Sequence, residues 1–121
     1  MVLMWWKAAG IAGAVGVALG AFGAHGLENA VDDPRLIAVW HTGADYHLVH
    51  ALALAAVAAH PAKPALAGWL FIAGILIFSG SLYCLALSGI GWLGAITPIG
   101  GLCLVAGWLA LAFPGRLGGS R

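Results

Sequence analysis

Residues 8–24 read AAGIAGAVGVALGAFGA, a run with no charge and no polar side chain. A membrane span needs ~20 mostly apolar residues to cross ~30 Å of hydrocarbon. With its flanks this run reaches that length, over about Trp6–His25. Three further apolar stretches follow, over about Leu36–His60, Ala65–Ser88 and Trp92–Phe113. Short connections separate them. Asp32-Asp33-Pro34 suits a helix start, since Asp accepts from free backbone N–H groups and Pro fits the first turn. Pro61 and Pro64 bracket a break, and Gly89 and Gly91 permit a tight turn. The pattern predicts an all-α integral membrane protein, four transmembrane helices in a bundle, forming one domain over residues 1–121.

Composition agrees. Of the 121 residues, 63% are hydrophobic and 7% charged. Soluble domains average ~45–50% apolar and ~25% charged. This balance excludes a soluble enzyme, a disordered tail and a nucleic-acid binder with a basic face. Lipid-facing strands would alternate apolar and polar residues, which this chain does not do.

The charges give a direction. Lys7, Lys63, Arg116 and Arg121 all fall on one side of a four-span topology, and Arg35 alone lies on the other. Cations favour the cytoplasmic side of short loops, so both termini are expected in the cytoplasm. The first 25 residues resemble a signal peptide, but their apolar run exceeds a usual signal core and is expected to stay uncleaved. The expected location is the bacterial inner (plasma) membrane, as a multi-pass protein.

Depth orders the polar residues. Counting inward from Trp40, an interfacial anchor, Asp45 lies ~7 Å deep, His47 ~10 Å and His50 ~15 Å. His25 closes the first span, Ser79, Ser81 and Tyr83 fall in the outer half of the third, and Thr97-Pro98 lies in the outer half of the fourth. All four spans thus place polar groups at the outer half of the bundle. A polar pocket is expected there, formed by His25, Asp45, Tyr46, His50, Ser79, Ser81, Tyr83 and Thr97. Asp45 is the sharpest residue, because a carboxylate at depth costs ~2.5–3.5 kcal/mol unless paired, neutral or wet. It reads either as a proton-relay or ligand group, or as an interhelical tie. Its candidate partners are His25, His41, Arg35 and Tyr83. His41 shares its face, while Tyr46 and His50 share an opposite one.

No metal site is expected. His47 and His50 are the weak candidates, being three residues apart, but zinc needs three or four close ligands. Gathering Asp45 and the histidines on one ion would require the helix to unwind near Gly43. No cofactor is expected, and Cys84 and Cys103 read as small apolar core residues. Small residues let membrane helices approach closely, so Gly13, Gly16, Gly20 and Gly23 in the first span, and Gly94 and Gly101 in the fourth, are expected to pack helices. Gly100 and Gly107 form a second heptad pair. A dimer or trimer seam along the first helix is the alternative use of these stripes.

Several runs carry a resemblance: Gly20-Ala21-Phe22-Gly23-Ala24-His25, Trp40-His41-Thr42-Gly43-Ala44-Asp45-Tyr46, His50-Ala51-Leu52, Phe78-Ser79-Gly80-Ser81-Leu82-Tyr83 and Thr97-Pro98-Ile99-Gly100-Gly101. In this order they resemble the YgdD-like family of small inner-membrane proteins, a domain of unknown function. The resemblance covers about Gly10 to Trp108 and implies a small multi-span membrane protein. It carries no biochemical activity. It implies a shared carboxylate at position 45 and favours Asp45, Tyr46 and His50 as the polar core. The functional expectation is a non-enzymatic accessory or binding component. The alternatives are a proton-coupled carrier or channel for a small solute, and a metal- or haem-binding membrane subunit. The expected partners are the lipid bilayer and a homo-oligomer or larger membrane complex, with no nucleic acid.

Overall fold

A computed structural model describes residues 2–115. They form four long helical segments. Helix α1 spans Val2–His25 and α2 spans Pro34–Ala59. Helix α3 covers Ala65–Ser88 and contains a π-helical turn at Ile75–Ser79. Helix α4 spans Thr97–Ala112 and is preceded by a 3₁₀ turn at Gly91–Ala95. Arg116 and Arg121 lie outside the described residues, so only Lys7 and Lys63 carry the charge asymmetry at the α1-start end.

The connections follow their local chemistry. Asp33 caps α2 by accepting from the Arg35 backbone N–H at 2.9 Å, with Pro34 in the first turn. The Arg35 guanidinium returns to the same carboxylate at 3.1 Å. Hydrogen bonds from the Arg35 side chain and then its backbone hold the Asp33 carboxyl below the usual carboxylate range. The cap therefore contributes above that range and fades as pH falls through the lowered value. At the other end, the His60 carbonyl accepts from both the backbone N–H and the Nζ of Lys63, and its Nδ1 accepts from the Ala62 N–H. These bonds hold Lys63 at a φ of 46°, unusual for a residue with a side chain. Gly89 ends α3 in the left-handed region at φ 71°, where a Cβ would be strained.

Helices α1 and α2 pack as an antiparallel pair, as do α3 and α4, and α2 joins the pairs by contacting α3. Two apolar clusters lie along the bundle. The larger, at the end nearer Lys7 and Lys63, holds Trp5, Leu54, Val57, Phe71 and Leu104. The smaller, at the opposite end, holds Leu27, Val31, Trp40 and Ala86. The sequence predicts a polar outer half. The structure instead closes that half with an apolar cap, because the α1–α2 loop folds Leu27 and Val31 back onto Trp40. The buried polar side chains His47, His50, Ser79 and Ser81 fall on helix segments between the two clusters.

Glycine makes the closest helix contacts, though not at every expected position. Gly16 faces Leu48 and His47 across α1–α2, and Gly23 faces Trp40. Gly13 reaches only Ala51, and Gly20 has open space where a Cβ would sit. Gly16 and Gly23 are thus spent within the chain, so they form no intermolecular seam on α1. The expected pair Gly94 and Gly101 is split between the 3₁₀ turn and α4 and makes ordinary contacts only. The tight stripe is Gly100 and Gly107, whose missing Cβ atoms would run into Phe78 and Phe71. At Gly100 the obstacle is the Phe78 backbone itself, within the π turn. Gly68 and Gly74 of α3 are equally tight, against Trp5 and Leu104. Helix α2 runs unbroken through Gly43, which packs against Leu82, Tyr83 and the Ser79 carbonyl. The unwinding that a shared ion would need does not occur. Cys84 is exposed and Cys103 half-buried, so neither is a core residue.

Gly100→Ala forces a methyl into backbone that cannot yield as a side chain tip would. It is expected to cost about 1–3 kcal/mol by overpacking, whereas Gly20→Ala should be neutral or stabilising through helix propensity. Thermal unfolding of both variants in one detergent checks the contrast.

Candidate functional site: a hydrogen-bonded polar belt

The belt begins at His47. Its Nε2 lies 2.9 Å from the Ala12 carbonyl of α1, and its Nδ1 lies 2.9 Å from the Tyr83 hydroxyl of α3. A carbonyl only accepts, so Nε2 carries the proton. The neutral ring then accepts at Nδ1, and Tyr83 donates. One imidazole thereby joins three helices.

His50 uses the other tautomer. Its Nδ1 lies 2.6 Å from the Tyr46 carbonyl and donates to it. Its Nε2 accepts from the Trp108 indole N–H at 3.0 Å, tying α2 to α4. Helical side chains lean toward the N-terminus of their own helix, so Trp108 reaches back along α4 to meet His50. The ring contacts extend the tie, with Phe71 5.2 Å from Trp108 and Tyr46 4.6 Å from Phe78.

Smaller groups complete the layer. Ser79 donates to the Gly43 carbonyl at 2.7 Å, and the Trp40 indole donates to the Leu19 carbonyl at 2.9 Å. The Ser81 hydroxyl donates to the Phe78 carbonyl, so Thr97 supplies the proton in the 2.6 Å Ser81–Thr97 bond. Side-chain hydrogen bonds therefore cross α1–α2, α2–α3, α3–α4 and α2–α4, while α1 meets α3 through the Trp5 ring against Gly68 and Trp69. The one buried polar side-chain atom without a partner among the described residues is the Trp5 indole nitrogen, in the larger apolar cluster away from the belt.

The belt can bind helices to one another, but it has spent the atoms that chemistry would use. Both nitrogens of His47 and of His50 are engaged, so neither ring offers a lone pair to a metal without breaking an interhelical bond. Among the described residues no three His, Cys, Asp or Glu side chains gather as a metal site would require. Open grooves run along the outside of the bundle. One of about 320 Å³ lies between α1, α2 and α3, past Ile11, Leu54 and Leu76, and one of about 450 Å³ lies between α1 and α2, past Trp6 and Leu52. Another of about 570 Å³ runs between α2, α3 and α4, past Tyr46, Phe78, Pro98 and Trp108.

The sequence has relatives among known proteins. Residues 19–101 match the family described as Protein of unknown function (DUF423). The chain belongs to this family. It is 50% identical over 101 residues to the UPF0382 membrane protein YwdK of Bacillus subtilis, covering 78% of this chain and 81% of that protein. A UPF0382 membrane protein of Schizosaccharomyces pombe is 42% identical over 113 residues, covering 88% of this chain and 96% of its own. One from Haemophilus influenzae is 42% identical over 103 residues, covering 80% and 81%. No solved structure matches. DUF423 relatives are thus named as membrane proteins, and three helical segments of this chain are long and apolar enough to cross a membrane: Leu3–His25, Ala65–Ser88 and Gly91–Ala112.

Within this DUF423 fold the expected pocket residues separate into two groups. His50, Ser79, Ser81, Tyr83 and Thr97 belong to the belt and are consumed pairwise. His25, Asp45 and Tyr46 are exposed, so the eight do not line one pocket. Asp45 lies opposite His47 around α2, and pairs with none of His25, His41, Arg35 or Tyr83 by hydrogen bond or ion pair. The polar core favoured by the family resemblance, Asp45 with Tyr46 and His50, is replaced by one centred on His47 and His50. Trp108 was missed because an indole near a helix end reads as an interfacial anchor. Its signal was the His50 acceptor, which had no donor on its own helix. Ala12 and Leu19 contribute only carbonyls and leave no mark in the sequence.

Tyr83→Phe strands the acceptor nitrogen of His47, and Trp108→Phe strands that of His50. Each is expected to lower unfolding free energy in bilayer or micelle by about 0.6 kcal/mol, with ~1.7 as the ceiling for membrane hydrogen bonds. A double-mutant cycle of Tyr83→Phe with His47→Phe should show coupling. The pair Tyr83→Phe with Trp108→Phe should be additive, because the two ties share no atom.

Proposed function

We propose that the protein is a four-span, non-enzymatic component of the bacterial inner membrane, with both termini in the cytoplasm. The observation that carries this reading is the state of the belt: its buried imidazoles and hydroxyls are paired helix to helix. A catalytic or transport site needs polar groups free to meet a substrate or pass a proton. Here the route from Tyr83 through His47 ends on the Ala12 carbonyl, which takes no proton onward. Beyond it lies the apolar cluster around Leu54 and Phe71. Such a protein acts by presenting surfaces to lipid or to other membrane chains.

Helix α2 supplies the fourth span. It has 26 residues, and its contacts with α1 run from Gly23–Trp40 to Gly13–Ala51 and Trp6-side grooves further along. A helix alongside a span for that distance, joined to α1 at one end and to α3 at the other, crosses with them. Its lower hydropathy reflects Asp45, His47 and His50, two of which are paired inside the bundle. Lys7 and Lys63 mark the cytoplasmic end and Arg35 the far end, which supports cytoplasmic termini.

Reporter fusions after His60 and after Ala30 test the topology in cells. The first should report cytoplasm and the second the opposite side; the reverse pattern, or one side for both, rejects it. Liposomes containing the purified protein test the carrier alternative. Proton permeability should equal that of empty vesicles and be unchanged by Asp45→Asn. A flux that Asp45→Asn abolishes, with thermal stability intact, would establish the carrier.

A further inference from the structure

Helix α2 has α1 on one flank and α3 with α4 on the other. Its back is covered by neither. Along that back the exposed residues are Ala38, Thr42, Asp45, Val49, Leu52 and Ala56. Their spacing alternates four and three through the whole series, which is the a/d seam of a left-handed helix pair. Leu52 is 74% exposed and Val49 51%, so the stripe is open along its length. The flanking Tyr46 hydroxyl and His41 ring make no hydrogen bond among the described residues.

One residue says what covers this face. Asp45 stands at its centre, about 16 Å along α2 from Pro34, and faces away from the protein interior. Lipid tails give a carboxylate nothing to bond. The face therefore requires a polar donor at that depth, within a surface otherwise made of aliphatic and small side chains. We propose that the occupant is a second copy of this chain, packed α2 against α2 about a twofold axis along the membrane normal.

The symmetry supplies what Asp45 lacks. Copies inserted with one topology present the stripe in parallel and at equal depth. In parallel knobs-into-holes packing, the Asp45 position enters the hole formed by Thr42, Asp45, Tyr46 and Val49 of the second copy. The Tyr46 hydroxyl that borders this hole makes no hydrogen bond among the described residues of its own chain, and it is the donor offered to the Asp45 carboxylate of the other copy. Ala38, Thr42 and Ala56 are small enough for close approach of the two helices. A carboxylate that would be a liability toward lipid becomes the bond that fixes register between copies.

This inference rests on α2 spanning the membrane, and one experiment separates the two. In a Cys84→Ala, Cys103→Ala background, single cysteines replace Val49 and Leu52 on the seam, and the exposed Val15 and Ile99 on the sides of α1 and α4 away from it. Each is oxidised in native membranes, and each is also offered a water-soluble maleimide. The expected result is disulfide-linked dimer at Val49→Cys and Leu52→Cys, at least about tenfold above Val15→Cys and Ile99→Cys, with all four shielded from the maleimide. Equal cross-linking at all positions, or a maximum on α1 or α4, overturns the seam while leaving the four-span reading intact. Maleimide labelling of Val49→Cys overturns both. The polar bond has its own readout in bilayers, by energy transfer between labelled copies of the full-length protein. Asp45→Asn, which can still form paired amide bonds, should keep the dimer. Asp45→Leu, which folds alike but bonds nothing, should weaken it by about tenfold. An unweakened Asp45→Leu dimer would show that Asp45 does not hold the copies together.

Discussion

The rest of the structure depends on one constraint: inside an apolar bundle a polar side chain must find its partner on another helix. His47 shows the consequence most directly. It sits between three helices, and its two nitrogens can be satisfied in only one tautomer, with Ala12 accepting and Tyr83 donating. That requirement fixes the rotation of α2 about its axis and its height relative to α1 and α3. His50 repeats the constraint toward α4 through Trp108. The two histidines are three residues apart on one helix but share no partner, so α2 is held to α1 and α3 by one ring and to α4 by the other. Apolar contact alone would leave the helices free to slide, since lipid tails are as apolar as leucine.

Glycine works beside the belt. Gly100 admits the Phe78 backbone, Gly107 admits Phe71, and Gly68 admits Trp5, so large rings reach the inner cluster without spreading the helices. The π turn at Ile75–Ser79 lies at the junction of both devices. It brings Phe78 backbone against Gly100 on one side and the Ser79 hydroxyl to Gly43 on the other. A helix with one wider turn can thus serve α2 and α4 at the same level. The result is a protein whose polar atoms are mostly turned inward and used, with Asp45 left on the outer face of α2.

Much of this was legible in the sequence. The four apolar stretches, the Asp33 cap with Pro34 and the glycine stop at Gly89 follow from local chemistry that tertiary packing does not override. The spacing of the polar residues along each helix was legible too, because it depends only on rise per residue. Their angular fates were not. Asp45 and His47 differ by two positions, one facing out and one at the centre, and composition cannot choose between them. The same holds in the fourth apolar stretch, where Gly94–Gly101 and Gly100–Gly107 are equivalent as patterns and only the second meets a neighbour closely. The π turn left no trace, since Ile75–Ser79 is an ordinary apolar run.

The sequence by itself determined that this chain is an apolar, helical membrane protein, and in what order its apolar stretches and their breaks follow one another. These follow from hydropathy, helix rise and capping, which are properties of each segment alone. Only the tertiary structure decided that the polar groups form ties rather than a pocket, that His47 and His50 are their hubs, and that Asp45 is turned away. Those outcomes depend on which face of each helix meets which neighbour. That choice is made jointly, by close contacts at glycine and by hydrogen bonds to carbonyls such as those of Ala12 and Leu19, which any residue would supply.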